Sequence, residues 1–392
     1  MLINYMFDNY CSFWGDNEFS LEAATGKVLK RYPSNYVETE VGIDCLKTAV
    51  IVGENAGGKS NFINSLKTIK AMFADNAKVK SFLPYVNNES LRKVKLPKQT
   101  FELVILTDNN RTYTYTLVID LKGIVAEKLY TCKKYKGKKY PIFYIERDDV
   151  ENCYKVLESE SIEIDRIVDK SNMEIGLFIT KLAILGNTHA MAVTDWVNNR
   201  LYTESVPVSS EDNLQRLQSD LVILQDNRYI DIFRMVDYSI CGIELDTEKP
   251  YSKSIIVRKT SSGEEFRREL QADSAGVREF FAWAVQIYRV VYENKVVFAD
   301  EMDRVLNPIL SDRVISFING KTHGGQFIFS THNVLHLNLV TYMKEQIYFI
   351  TKNKDALTSE LYSLADFPEV RYETTKIYEF YMKGILGGTT IE

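Results

Sequence analysis

The sequence predicts an α/β fold of the P-loop NTPase kind, with an antiparallel β-rich subdomain and a helical insertion, and three observations predict it. The apolar run Ala49-Val50-Ile51-Val52 feeds Gly53-Glu54-Asn55-Ala56-Gly57-Gly58-Lys59-Ser60. Beyond it Phe62, Ile63, Leu66, Ile69 and Phe73 recur at helical spacing, so the stretch reads strand, glycine loop, helix. A second apolar run, Val296-Val297-Phe298-Ala299, ends on Asp300-Glu301, as a buried parallel strand does when it delivers carboxylates to the edge where α/β sheets bind ligands. Between the two lie alternating, turn-punctuated strands over residues 101–145 and helix-periodic segments over 150–235.

Composition narrows the class. With 45% apolar and 26% charged residues, the 392-residue chain has the make-up of a soluble globular protein with a sizeable core. The net charge of −5 excludes an overall positive field, so contact with nucleic acid or membrane requires a local patch. Five cysteines, Cys11, Cys45, Cys132, Cys153 and Cys241, are odd in number and form no CxxC pair, which points to a reducing, cytoplasmic setting. No apolar run reaches about 18 residues and no basic segment precedes one, so neither a membrane span nor a signal peptide is expected. The four histidines lack metal-ligand spacing. The expected division is an N-terminal half at 1–150, a helical insertion at 151–238 and a C-terminal half at 239–392.

The glycine loop carries the first chemistry. A polyphosphate must be wrapped by backbone N–H groups, and glycine lets the backbone come that close and turn that sharply. Gly53, Gly57 and Gly58 supply the freedom, with Glu54, Asn55 and Ala56 completing the cradle. The helix beginning near Lys59 adds free N–H groups and the positive end of its dipole. Lys59 is expected on the β- and γ-phosphates and the Ser60 hydroxyl on Mg²⁺, so ATP and Mg²⁺ are the expected cofactors.

The flanking segments follow in order. Residues 1–52 hold short strands at Leu2-Ile3-Asn4-Tyr5 and Phe19-Ser20-Leu21 before the strand that feeds the loop. Phe7 or Phe13 is open to lying against an adenine ring, with core packing the expected role for either. A linker bearing Lys93, Lys95 and Lys98 leads to strands at 101–106 and 112–119 around Asp108-Asn109-Asn110, then to a hairpin, 124–132 and 140–145, closed at Lys136-Gly137. Lys133, Lys134, Lys136, Lys138 and Lys139 make that turn basic, with Tyr130, Tyr135 and Tyr140 among and beside them. A nucleic-acid backbone or plain solvation both suit such a tip. Helical segments at 177–184, 193–197 and 214–224 follow, with a polar loop at 205–211 and no sustained heptad.

The C-terminal half brings strand signals at 254–257 and a turn at Ser261-Ser262-Gly263. Asp273-Ser274-Ala275-Gly276-Val277 then opens a helix whose stripe is Val277, Phe280, Phe281, Ala284, Ile287, Tyr288 and Val291. Ser274 and Gly276 at a helix N-terminus suit a phosphate, although the same residues also serve as plain caps. After the acidic strand, Asp300 is expected to hold Mg²⁺ through water, and Glu301 to take the proton from the attacking water. The strand Gln326-Phe327-Ile328-Phe329-Ser330 ends at Thr331-His332-Asn333, where His332 can report the presence of the γ-phosphate. Segments at 347–350 and 361–364 are expected to complete the sheet, and 378–388 to form a helix and glycine-rich tail.

Roughly 240 residues separate Lys59 from Asp300, and the Ser-x-Gly segment sits just before the acidic strand. This layout differs from compact GTPases and ring-forming AAA+ machines and resembles the ABC-type ATPases. The resemblance equates Ser274, Ala275, Gly276 and Val277 with the signature, Asp300 and Glu301 with Walker B and the catalytic glutamate, Asp303 with the D-loop and His332 with the switch histidine. Within that group the chain resembles the stand-alone AAA family ATPases of the abortive-infection and overcoming-lysogenisation type, cousins of chromosome-maintenance and recombination-repair heads. Asn9-Tyr10-Cys11-Ser12-Phe13, the Gly-x-Asn-x-x-Gly-Lys-Ser-Asn of residues 53–61 ending in Asn61, Asp300-Glu301-Met302-Asp303 and Ser330-Thr331-His332-Asn333 carry it. The chain departs in having Leu306-Asn307-Pro308 where relatives have Leu-His-Pro, and Ala275 and Val277 in the signature. Gln99 is the candidate for the Q-loop glutamine.

The resemblance implies a homodimer through the nucleotide sites, open to higher assembly, in which the Lys59 loop of one chain faces Ser274 and Gly276 of the other. It also implies an ATPase switch in anti-phage defence that gates a separate effector, a nuclease or toxin. About 60 residues follow His332, fewer than an appended Toprim-type nuclease needs, and Asp355, Glu360 and Asp366 form no metal constellation. The alternative is a repair-type ATPase that touches DNA or RNA through the 133–139 hairpin. Two further readings are the nucleotide-binding subunit of a transporter, which the length and β-rich insertion disfavour, and a scaffold that binds ATP with little turnover.

Overall fold

The computed structural model describes residues 1–74, 79, 97–151, 153–170, 176–203, 214–302, 307–353, 355–372 and 376–387. Lys93 and Lys95 of the linker, the 205–211 loop, Asp303, Leu306 and Gly388 lie outside the described residues.

The strand ahead of the glycine loop, Thr48–Val52, is buried along its whole length, as an interior strand covered on both faces must be. It lies inside a six-stranded sheet ordered Leu201–Tyr202, Val296–Ala299, Gln326–Thr331, Thr48–Val52, Ile347–Lys352 and Ser359–Ser363. The first five are mutually parallel, and Ser359–Ser363 closes one edge antiparallel. Alternation along the central strand splits the core: Ala49 and Ile51 enter one apolar layer, Val50 and Val52 the other.

On the first face lies the helix Lys59–Met72, and above it a seven-stranded sheet ordered Cys153–Ser159, Tyr140–Asp148, Gly123–Cys132, Thr112–Asp120, Gln99–Leu106, Leu2–Asp8 and Asn17–Ser20. Phe62, Ile63, Leu66 and Ile69 are fully or almost fully buried between the two sheets, each side chain stabilising the fold by about 1.5–3 kcal/mol. Phe62 packs 5.9 Å from Phe7 in one sheet and 6.0 Å from Phe298 in the other, centroid to centroid. Phe7 and Phe13 meet edge to face at 5.0 Å with no exposed surface, so both serve the core.

The opposite face is covered by the helices Ala275–Glu293 and Pro308–Gly320. The stripe from Val277 to Val291 is buried as its periodicity predicts, but Trp283, Val285, Gln286, Arg289 and Val290 on the remaining faces are buried too. The helices Leu214–Leu224 and Asn227–Phe233 cover that second side, which an amphipathic pattern cannot announce. Ile240–Glu244, Ile255–Lys259 and Glu265–Glu269 form a separate three-stranded antiparallel sheet beside the helix start.

The 150–235 region, expected to be mostly helical, opens with the strand Cys153–Ser159, which pairs with Tyr140–Asp148. Its partner supplies the apolar contacts that its own alternating exposure lacks. The helix Phe178–Ile184 then docks on the same sheet through Glu127. This fully buried carboxylate accepts the Phe178 and Ile179 N–H groups, each at 2.8 Å, and the Tyr115 hydroxyl at 3.1 Å. Burial pushes its pKa up to about 7, against the pull of those donors toward the charged form. A carboxylic acid raised on folding stabilises fully below its unfolded value near 4.5 and loses that stabilisation as pH rises through 7. The loss is on the order of 3 kcal/mol. Urea titrations at several pH values should therefore show the parent weakening relative to Glu127→Gln between pH 5 and pH 8; parallel curves would refute the assignment.

Candidate active site

Three parallel neighbours end at one edge of the six-stranded sheet. Gln326–Thr331 lies between Thr48–Val52 and Val296–Ala299, so the glycine loop, His332 and the Asp300-Glu301 pair emerge side by side at the carboxyl ends of adjacent strands. That edge is where open α/β sheets bind ligands.

The loop is held by its neighbours as well as by its glycines. A Cβ on Gly53 would stand 2.2 Å from the Ile350 carbonyl oxygen, and Gly58, at φ +121°, would drive one to 2.5 Å from Ser359 Oγ. Both positions therefore require glycine, the first for close approach and the second also for its backbone angle. Ala56 is itself left-handed at φ 60°. Ser359 Oγ donates to the Gly57 carbonyl at 2.6 Å and lies 2.7 Å from Ser12 Oγ; the Ser359 N–H donates to the Ser12 carbonyl at 2.7 Å. Asn61, expected among the nucleotide residues, gives its amide to Ser12 Oγ at 2.8 Å and so braces the loop from the helix side.

Lys59 is buried, and its ammonium donates to the carbonyls of Gly53 at 2.7 Å and Glu54 at 2.8 Å. It stands 3.4 Å from His332 Nδ1, which joins two residues separated by 273 positions. Ser60 is exposed at the start of the same helix, and the loop tip, Asn55 and Ala56, is exposed with it.

Ser330 organises the acidic pair. Its hydroxyl donates to Asp300 Oδ1 at 2.5 Å and accepts the Glu301 N–H at 2.8 Å. Glu301 takes a left-handed backbone, φ 51°, a conformation a non-glycine residue keeps only when its surroundings impose it. Gln99, nearly fully buried, donates to the Asn9 carbonyl at 3.0 Å and is thereby tied to the segment that carries Ser12.

Ser274 and Gly276 stand apart from this cluster. Ser274 caps the helix Ala275–Glu293, accepting the Val277 N–H at 3.4 Å, and both residues are exposed. They line a separate concavity of about 720 Å³ to which none of residues 53–61 contributes.

The arrangement suits a nucleoside triphosphate with Mg²⁺. Two glycines fill positions with no room for a Cβ, a helix presents its N-terminus, Lys59 supplies a cation, and Ser60 and Asp300 offer hard oxygen donors. Ser12, Ser330 and Ser359 are the residues a reading of the sequence alone passes over in these bracing roles. Ser12 lies inside the Asn9-to-Phe13 segment and Ser330 beside Thr331-His332, whereas no motif includes Ser359.

A family described as "AAA domain, putative AbiEii toxin, Type IV TA system" matches residues 49–338, well over half of the chain. No curated protein matches the sequence. Similar solved structures include the SMC head domain from Thermotoga maritima, 14% identical with a TM-score of 0.41, covering 92% of this chain and 98% of that one. The SMC head bound to the C-terminal winged-helix domain of ScpA is 13% identical with a TM-score of 0.47, covering 92% and 97%. The SMC head domain with an extended coiled coil, bound to the C-terminal domain of ScpA derived from Pyrococcus furiosus, is 13% identical with a TM-score of 0.47, covering 98% of each chain.

Proposed function

The chain belongs to the AAA domain family described as putative AbiEii toxin, Type IV TA system, and from that premise we propose that it is an ATP-hydrolysing switch. It works as a head-to-tail homodimer in the cytoplasm and gates a separate effector, a nuclease or toxin, in prokaryotic defence against phage. The observation that supports this reading best is the meeting of Lys59, His332, Ser330 and the Asp300-Glu301 pair at one sheet edge. No helix among the described residues is long and apolar enough to cross a membrane.

Bound MgATP supplies the leaving group and neutralises phosphate charge. Around it the chain orients and moves protons. The 53–60 backbone and Lys59 would hold the phosphates, while Ser60 and Asp300 would hold Mg²⁺, which would offset phosphate charge. Glu301, fixed by Ser330, accepts the proton of the attacking water. His332 donates toward the γ-phosphate, and loss of that phosphate lets the heads part.

A Lys59→Ala variant tests the reading at its base. Charge-assisted hydrogen bonds of about 1.5–3 kcal/mol are at stake, so a fluorescent ATP analogue should bind roughly 10- to 100-fold more weakly. Unchanged affinity would remove the nucleotide site from this loop.

A second reading, direct contact with DNA or RNA, rests on the exposed Lys133, Lys134, Lys138 and Lys139 of the hairpin. Within that hairpin Tyr135 and Lys136 are already engaged by Glu22, the latter at 3.0 Å. Binding that weakens steeply with salt, and with removal of those lysines, distinguishes it.

A further inference from the structure

The concavity beside Ser274 is walled by the hairpin formed by Ile255–Lys259 and Glu265–Glu269. In register, Ile256 faces Arg268 and Arg258 faces Phe266, and residues two apart share a face, so these four lie on one side of the hairpin. Arg258 is neutralised there: its guanidinium pairs with Asp237 at 2.8 Å and Asp273 at 2.7 Å, and so fixes the residue that precedes Ser274. Arg267, also at the concavity, is answered by Glu244 at 2.9 Å and Glu265 at 3.2 Å. The Arg268 side chain makes no hydrogen bond or ion pair among the described residues, and it is exposed at the concavity wall. A volume of about 720 Å³ falls in the range of small-ligand pockets, yet this one contains no glycine loop and no Lys59. Among the described residues no anion answers the Arg268 cation.

We propose that Arg268 acts in trans as a nucleotide-binding residue: in the head-to-tail dimer its guanidinium contacts the triphosphate held in the 53–60 loop of the second copy. The assignment rests on the dimeric reading of the site. A planar, permanently charged fork suits phosphate oxygens better than a point charge, and its pairing across the interface ties dimer closure to the presence of ATP.

The test uses the full chain in a Glu301→Gln background, with MgATP as the probe. Two quantities are measured: affinity for a fluorescent ATP analogue at concentrations where the chain is monomeric, and the dimer dissociation constant by sedimentation. Adding R268A should leave monomer affinity within twofold and raise the dimer constant at least tenfold; R268K should recover part of the loss. A dimer constant unchanged by R268A overturns the assignment while leaving the dimer intact. An equal loss of monomer affinity overturns it too, because Arg268 would then act within its own chain. If E301Q fails to dimerise with ATP at all, the head-to-tail reading falls first and takes this inference with it. Thermal melting checks that R268A, a change at an exposed hairpin position, folds as the parent does.

Discussion

Changing Glu301 to Gln is expected to slow ATP turnover by about 10²- to 10⁴-fold, the usual worth of a positioned general base, while ATP still binds. The substitution keeps side-chain volume and the hydrogen bond from the Glu301 N–H to Ser330 Oγ, so the left-handed turn at Glu301 is expected to survive while the proposed proton acceptance is lost. In the proposed cycle hydrolysis lets the heads part, so the variant should accumulate as an ATP-bound dimer. Gel filtration should show a dimer with ATP and a monomer with ADP, alongside a single-turnover assay that reads the chemical step. A monomer with unchanged turnover would defeat both the assignment of Glu301 and the dimeric cycle. A dimer that turns over at the parental rate would defeat the first alone.

The largest stability effect is expected at Arg289. This residue of the helix Ala275–Glu293 is 2% exposed, and its guanidinium donates to Asp220 Oδ1 at 2.5 Å and to Ser219 Oγ at 2.9 Å. Tyr251 donates to the other Asp220 oxygen at 2.6 Å, and the Arg289 guanidinium lies 5.1 Å from the centre of the Tyr202 ring. One cation thus ties the helix capped by Ser274 to the helix Leu214–Leu224 and to the strand Leu201–Tyr202. Arg289→Ala leaves the buried Asp220 carboxyl short of its cation, which costs about 3–5 kcal/mol in comparable buried pairs. Denaturant titration should show that loss. The double change Arg289→Met with Asp220→Leu, which replaces the charges with apolar volume, should recover most of it. If Arg289→Ala costs under about 1 kcal/mol, the pair is not the anchor described.

Much of the site was legible beforehand for a local reason. The glycine loop, the Asp300-Glu301 pair and His332 each follow a buried apolar strand, and strand ends carry their own signal in residue order. The seven-stranded sheet was legible through its hairpin turns as far as Ile145, but Cys153–Ser159 was missed because half of what makes it a strand belongs to its neighbour. The all-round burial of the helix Ala275–Glu293 was invisible for the same reason: its outer cover comes from helices more than 40 residues upstream.

By itself, the order of residues determined most strands of the parallel sheet, where the glycine loop lies and which acids and histidine follow the neighbouring strands, because these depend on spacing within a few residues. Only the tertiary structure decided that Ser359, 302 positions from Gly57, braces the loop, that Ser330 accepts the backbone N–H of Glu301, and that the Arg268 side chain has no partner among the described residues. Those roles arise from distances through space between strands brought together by crossovers, and sequence separation carries no measure of such distances.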